Sequence, residues 1–249
     1  MSKFLSIIFI FAFLPLFSQV NVKDSVIQTT FLSAHYSYNL PGGDLKDRFG
    51  SNSIIGGKFS LKTRKNWIFE IQGNFIFGNT VNENSILDSL RNSDGNIING
   101  NGEVASVNLF ERGFSFTANA GKIFPVFGPN KNSGIVFSNG IGFLQHKIRI
   151  ENFMNTVPQI KDDYKKGYDR LSNGFAMTQF LGYLYLGNKR IYSFYLGIEV
   201  SEAWTKSRRS YDFDLMKKDE KSRFDIMSGL KVGWIIPLYK RTPKPYYIN

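Results

Sequence analysis

Eight stretches of the chain alternate apolar and polar residues with a period of two, the pattern of a strand with one greasy face. The third is the clearest. Trp67, Phe69, Ile71, Phe75 and Phe77 share a face, and Glu70, Gln72 and Asn74 share the opposite one. The first stretch runs from Thr29 to Leu40 and the second from Asn52 to Thr63, where Gly56, Lys58, Ser60 and Lys62 oppose Ile55, Gly57, Phe59 and Leu61. The fourth sets Phe114, Phe116, Ala118 and Ala120 against Ser115, Thr117, Asn119 and Gly121. The fifth, about Gly134 to Arg149, alternates less well, because Asn139 falls on the apolar face. The sixth, Gly174 to Leu186, is apolar on both faces at its end and shows no register. In the seventh, Phe194, Leu196, Ile198 and Val200 oppose Ser193, Tyr195, Gly197 and Glu199. The eighth sets Phe224, Ile226, Leu230, Val232, Trp234 and Ile236 against Asp225, Lys231 and Gly233.

The connections have a rhythm of their own. Long polar segments follow the first, third, fifth and seventh strands (41–51, 78–112, 151–173 and 205–222), and shorter ones follow the second, fourth and sixth (64–66, 125–133 and 187–190). Outer-membrane barrels show this asymmetry, with long extracellular loops, short periplasmic turns and an even strand count. A soluble barrel or sandwich also alternates, but hides its apolar face inside. Two features favour the membrane: strands well beyond the five or six residues usual in soluble sheets, and glycines gathered on the polar faces, as a narrow lumen requires. The expected fold is therefore all-β, a transmembrane antiparallel up-and-down β-barrel of about eight strands. Closure is what lets a sheet cross a bilayer with every backbone group paired.

The ends complete this layout. Lys3, an apolar run from Phe4 to Phe17 broken by Pro15, and the small residue Ser18 read as a signal peptide over residues 1–18. The run is too short for a spanning helix. The barrel is expected over 19–239 and a periplasmic tail over 240–249, with the outer membrane of a Gram-negative bacterium as the destination. The absence of cysteine excludes disulfides, thiolate metal sites and an N-terminal lipid anchor. Lys and Arg number 31 against 20 Asp and Glu, a formal net charge of +11. For an exported chain the anionic partner this implies is lipid and lipopolysaccharide, not nucleic acid.

Near the C-terminus Lys231, Gly233, Ile236 and Leu238 match the spacing of the signal read by the barrel-assembly machinery. On these residues and the strand layout, the mature chain resembles the small eight-stranded outer-membrane barrels of the OmpA and OmpX type. Its Phe-rich and Asn-rich style is similar to outer-membrane β-barrel families of Bacteroidota. The pattern departs in having Leu238 where an aromatic is usual, and in its tail. The resemblance implies passage through the assembly machinery during biogenesis and leaves room for an envelope protein partner.

Chemistry is sparse. An eight-stranded lumen is wide enough only for side chains, so inward Lys58 and Lys231 are expected to pair with Glu70 and Glu199 in a buried charge network. Lys147, Arg149, Arg208 and Arg209 are expected at the outer strand ends and loops, against lipopolysaccharide phosphates; the loop charges, including Arg170, Asp212 and Asp214, are otherwise expected to be solvated. His35 and His146 face inward without a nucleophile motif, so no catalytic residue, metal or cofactor is expected. The leading expectation is a non-enzymatic barrel with surface-exposed loops, in a structural, interaction or accessory role. Two alternatives stand beside it: a lateral conduit for small apolar molecules, suggested by Gly140, Gly142 and Pro237, and a lipid-modifying enzyme built on His35 or His146.

Overall fold

Eight strands form a closed ring in sequence order, each antiparallel to its neighbours. They are β1 (Thr29–Gly43), β2 (Asn52–Lys62), β3 (Trp67–Gly78), β4 (Val107–Phe124), β5 (Gly134–Asn152), β6 (Ser172–Leu186), β7 (Ser193–Ser207) and β8 (Ser222–Leu238). One helical turn, α1 (Leu45–Arg48), follows β1. This computed structural model describes residues 26–187 and 192–238. The signal peptide expected at 1–18, most of the turn at 187–190 and the tail at 240–249 lie outside the described residues.

The ring closes through fourteen register pairs between β1 and β8, from Thr30 opposite Leu238 to Gly43 opposite Asp225. Followed from strand to strand, the register that starts at Thr29 returns to β1 at Asn39, a shear of ten residues. Such a stagger goes with strands tilted about 35–45° to the barrel axis. The tight turn between β2 and β3 is set by Asn66, which takes a positive φ of 61°. Asn tolerates that conformation better than most residues.

The apolar faces point outward. Trp67, Phe69 and Ile71 are 45%, 49% and 66% exposed, although they lie along a central strand of the sheet. Their neighbours Ile68, Glu70 and Gln72 are buried in the lumen. A surface of this kind suits hydrocarbon, and aromatic side chains border it at both ends: Trp67, Phe124, Phe194 and Trp234 at the short-turn end, and Tyr38, Phe75, Phe175, Trp204 and Phe224 at the other. Interfacial girdles occupy these positions in transmembrane barrels.

The largest departures from the sequence reading lie at the long-loop ends of the strands. β1 runs on to Gly43, β4 begins at Val107 instead of near residue 113, β5 extends to Asn152, and β7 continues to Ser207. These extensions make a wall that rises past the aromatic border on the long-loop side. Here the alternation inverts: in β5, Leu144, His146, Ile148 and Ile150 are buried inside, while Lys147 and Arg149 point outward. Water outside and a packed interior reverse the preference that lipid imposes lower down. The sixth strand now has a register, with Phe175, Met177, Gln179 and Leu181 outward and Ala176, Thr178, Phe180, Leu184 and Leu186 inward. The connection 44–51 is short, so the first of the four expected long loops is no longer than the turn 125–133.

Candidate functional site

The lumen is filled in three layers. At the short-turn end Phe31, Ile68, Ile123, Val136, Phe180, Leu184, Leu186, Tyr195 and Ile235 form an apolar plug. Across that mouth, Lys62 Nζ donates to Ile27 O at 3.0 Å and to Asn132 Oδ1 at 2.9 Å. The middle layer is polar. Lys58 Nζ lies 2.7 Å from Glu70 Oε1, which also accepts from Ser60 Oγ at 3.0 Å. Lys231 Nζ lies 2.6 Å from Glu199 Oε2 and donates to Gln72 Oε1 at 2.8 Å. The two pairs border a residual void of about 10 Å³, about the space of a single water molecule. Lys58 also sits 4.1 Å from the centre of the Tyr195 ring, a stabilising contact for a cation held away from water.

Both histidines point inward. His35 Nε2 is 2.8 Å from Asn74 Oδ1, whose amide donates to Ser115 Oγ at 2.9 Å. His146 Nε2 is 3.0 Å from Asp225 Oδ2, which also accepts from Thr205 Oγ1 at 2.5 Å. Each ring is thus held by an amide or a carboxylate. Gly56 lies close against His35: a Cβ there would come within 2.6 Å of the ring and within 2.5 Å of the Gly73 carbonyl.

The third layer is a folded cap, which the sequence reading missed. Leu45 and Phe49, Val81, Ile86, Leu87 and Ile97 from the loop 79–106, and Val157, Ile160 and Tyr168 from the loop 153–171 pack onto the inner ends of the strands. A charge cluster ties all four connections at this end together. Arg48 Nε reaches Glu83 Oε2 at 2.9 Å, and Arg170 Nε reaches Glu83 Oε1 at 3.0 Å. Arg170 also meets Asp212 at 3.2 Å and Asp214 at 2.5 Å. Arg48 Nη1 donates to the Arg170 carbonyl at 3.2 Å and to Ser172 Oγ at 3.0 Å.

Burial disfavours the charge on Arg170, but Glu83, Asp214 and Asp212 outweigh it and hold its pKa above the usual arginine value. Burial likewise pushes the Asp212 carboxyl up, and the pull of Arg170 only partly offsets this. Arg170, Asp212 and Asp214 are therefore structural ions, not the solvated charges expected of long loops, and Arg48 joins them. Their sequence separations hide the cluster, but the apolar residues inside the loops are a visible sign that those loops pack.

No family model and no curated protein matches the sequence. Among solved structures the chain is similar to Ail, the attachment invasion locus protein of Yersinia pestis, in complex with the heparin analogue sucrose octasulfate. That match has 9% identity and a TM-score of 0.46 and covers 84% of this chain and 99% of that one. It is also similar to neisserial surface protein A, at 10% identity and a TM-score of 0.41, over 82% of this chain and 96% of that one. A third is the N-terminal β-barrel domain of Pseudomonas aeruginosa OprF, at 9% identity and a TM-score of 0.33, over 82% and 97%.

The residues expected to meet lipopolysaccharide are spread around the raised wall. Lys147 and Arg149 point outward from β5, with Arg149 2.8 Å from Glu151. Arg208 follows β7 and donates to Asn173 Oδ1 at 2.5 Å. Arg209 instead turns into the cap, where it binds both oxygens of Asp169, at 2.7 and 2.5 Å. Its guanidinium is committed within the protein. Arg112, which the sequence reading placed in a loop, stands on β4 directly opposite Lys147 and lies over the Phe110 ring at 5.1 Å.

Proposed function

We propose that the chain is a non-enzymatic outer-membrane protein whose working surface is its capped outer end, in a structural or interaction role, with the barrel as the anchor. The observation that carries this reading is the cap itself. The four connections on one side are joined by the Arg48, Glu83, Arg170, Asp212 and Asp214 cluster over a lumen filled by the Lys58–Glu70 and Lys231–Glu199 pairs. A rigid surface costs less ordering entropy on binding than four free loops would.

The reading is tested by topology and conductance together. The chain has no cysteine, so Asp94→Cys at an exposed loop tip supplies a unique label site. A membrane-impermeant maleimide is expected to label it on intact cells, and the reconstituted protein is expected to pass no more current than a bare bilayer. Labelling only after the outer membrane is permeabilised, or stepwise conductance, overturns the reading.

The outward cations of the wall, Lys147, Arg149 and Arg208 with Arg112 beside them, stand just above the aromatic border formed by Phe175 and Trp204. We propose that they hold lipopolysaccharide phosphates through charge-assisted hydrogen bonds. The variant combining Lys147→Glu, Arg149→Glu and Arg208→Glu is expected to weaken lipopolysaccharide binding in vesicles by about tenfold or more, with the loss shrinking at high salt. Unchanged binding at low salt would remove this role from the wall.

A further inference from the structure

Two amides stand where a lipid-facing barrel has no use for them. Asn139 on β5 and Gln179 on β6 are direct register partners, and both side chains point outward. They lie about midway between the two aromatic borders, among Ile141, Leu181 and Ile198, with the outward Glu202 of β7 one outward position nearer the long-loop end. Neither side chain has a hydrogen-bond partner among the described residues. In hydrocarbon an unsatisfied amide is expensive, because no water reaches it.

Beside the pair the surface is hollowed into a groove of about 600 Å³, bounded by Phe69, Ile71, Ile141 and Met177 and including Asn139. Its floor is low because β4 presents only Ala118 and Ala120 there. An acyl chain could fill the hollow, but it would leave both amides unpaired. An occupant that brings donors and acceptors to the middle of the membrane satisfies both amides where they stand.

We propose that this face is an interface with a second copy of the chain, closed by reciprocal amide hydrogen bonds. An amide carries both a donor and an acceptor, so it is complementary to another amide. Two copies inserted with the same orientation are related by a two-fold axis along the membrane normal. When that axis passes in front of the pair, Asn139 of one copy faces the partner's Gln179, and the reverse contact follows by symmetry. Such isologous closure is the commonest route to a homodimer. Small residues at the contact permit close approach, and amides across it act as glue, as at membrane helix interfaces. The outward Leu196 and Ile198 of β7 on each copy then stand across from the low β4 floor of the other.

The cysteine-free background allows a direct test in native membranes. Ile141→Cys keeps both amides and places a thiol beside the axis, whereas Ile55→Cys lies on β2, three strands from β5 around the ring. Oxidation is expected to link Ile141→Cys into a disulfide dimer and to leave Ile55→Cys monomeric. In vesicles, the double variant Asn139→Leu with Gln179→Leu is expected to raise the dimer dissociation constant by about tenfold or more. Both leucines suit a lipid-facing position, so this variant should insert normally. The proposal is overturned by equal cross-linking at the two cysteines, by a wild-type protein monomeric at every protein-to-lipid ratio, or by a dimer indifferent to the loss of both amides. Cross-linking of Ile141→Cys to a different protein would overturn the second copy as the occupant.

Discussion

Replacing Arg170 with alanine is expected to open the cap and leave the barrel folded. The guanidinium is 3% exposed and is shared by three carboxylates from two other connections, Glu83, Asp212 and Asp214. Removing one member of a buried ion cluster leaves the others desolvated and unpaired, which destabilises by about 3–5 kcal/mol. The loss falls on the cap, because the eight strands are joined by a ladder that does not involve Arg170. Hydrogen exchange should therefore rise across 79–106, 153–169 and 208–221 and stay slow in the strands, and the shift on heating in a detergent gel should persist. A fall of less than about 1 kcal/mol in local stability would show that the apolar cap core holds without its ions.

Acidity supplies a second readout of the same variant. Burial already raises the Asp212 carboxyl above its ordinary value with Arg170 present, and loss of the arginine removes a pull in the opposite direction. A carboxyl raised in the folded state binds protons more tightly there than in the open state. The closed cap therefore gains stability as the pH falls through the raised value, and loses it again as the pH rises. The Arg170→Ala cap is expected to be most open at neutral pH and to reclose on acidification toward about pH 4, the ordinary aspartate range. A cap opening monotonically with acid would mean that other carboxylates dominate.

How far the sequence speaks for itself depends on depth in the membrane. In β3 and the central part of β8 one face meets lipid and the other a polar lumen, so the period of two is clean and the register is legible. The end of β6 is opaque because Leu184 and Leu186 face inward into the apolar plug while Leu181 and Tyr183 face outward, leaving no polar face to read. The start of β4 fails for the opposite reason. Above the aromatic border Leu109 packs inward with the cap while Asn108 and Arg112 face outward, so the strand reads as a polar loop. The run from Gln145 to Glu151 carries the inversion openly, with Ile148 and Ile150 between Lys147, Arg149 and Glu151. Read as a strand with reversed polarity, it implies a packed interior above the bilayer, and hence a cap. Nothing local reveals that Arg48 meets Glu83 or that Arg170 meets Asp212, since loops of unknown path join them.

The lumen pairs carry the largest consequence for the barrel itself. Lys231 is 1% exposed, and its ammonium bridges Glu199 on β7 and Gln72 on β3 across the interior. Lys231→Met keeps most of the volume and removes the charge, so the largely buried Glu199 carboxylate is left in the lumen without its counter-ion. The barrel is expected to lose about 3–5 kcal/mol. Removing both charges, with Lys231→Met and Glu199→Leu together, takes away the stranded ion as well as the pair, and most of the loss should return, to within about 1 kcal/mol of the parent. Lys58→Met should behave like Lys231→Met, because Glu70 is held by Lys58 with only Ser60 in support. Urea unfolding in vesicles, followed by the fluorescence of Trp67, Trp204 and Trp234, measures all of these, since the three indoles lie on the outer surface and lose their lipid environment when the barrel opens. The sign of the double variant decides what the pair is for. If it is as stable as the parent, the Lys231–Glu199 pair fills space and fixes register without adding net stability. If it is as unstable as the single variant, the interior requires charge at these positions.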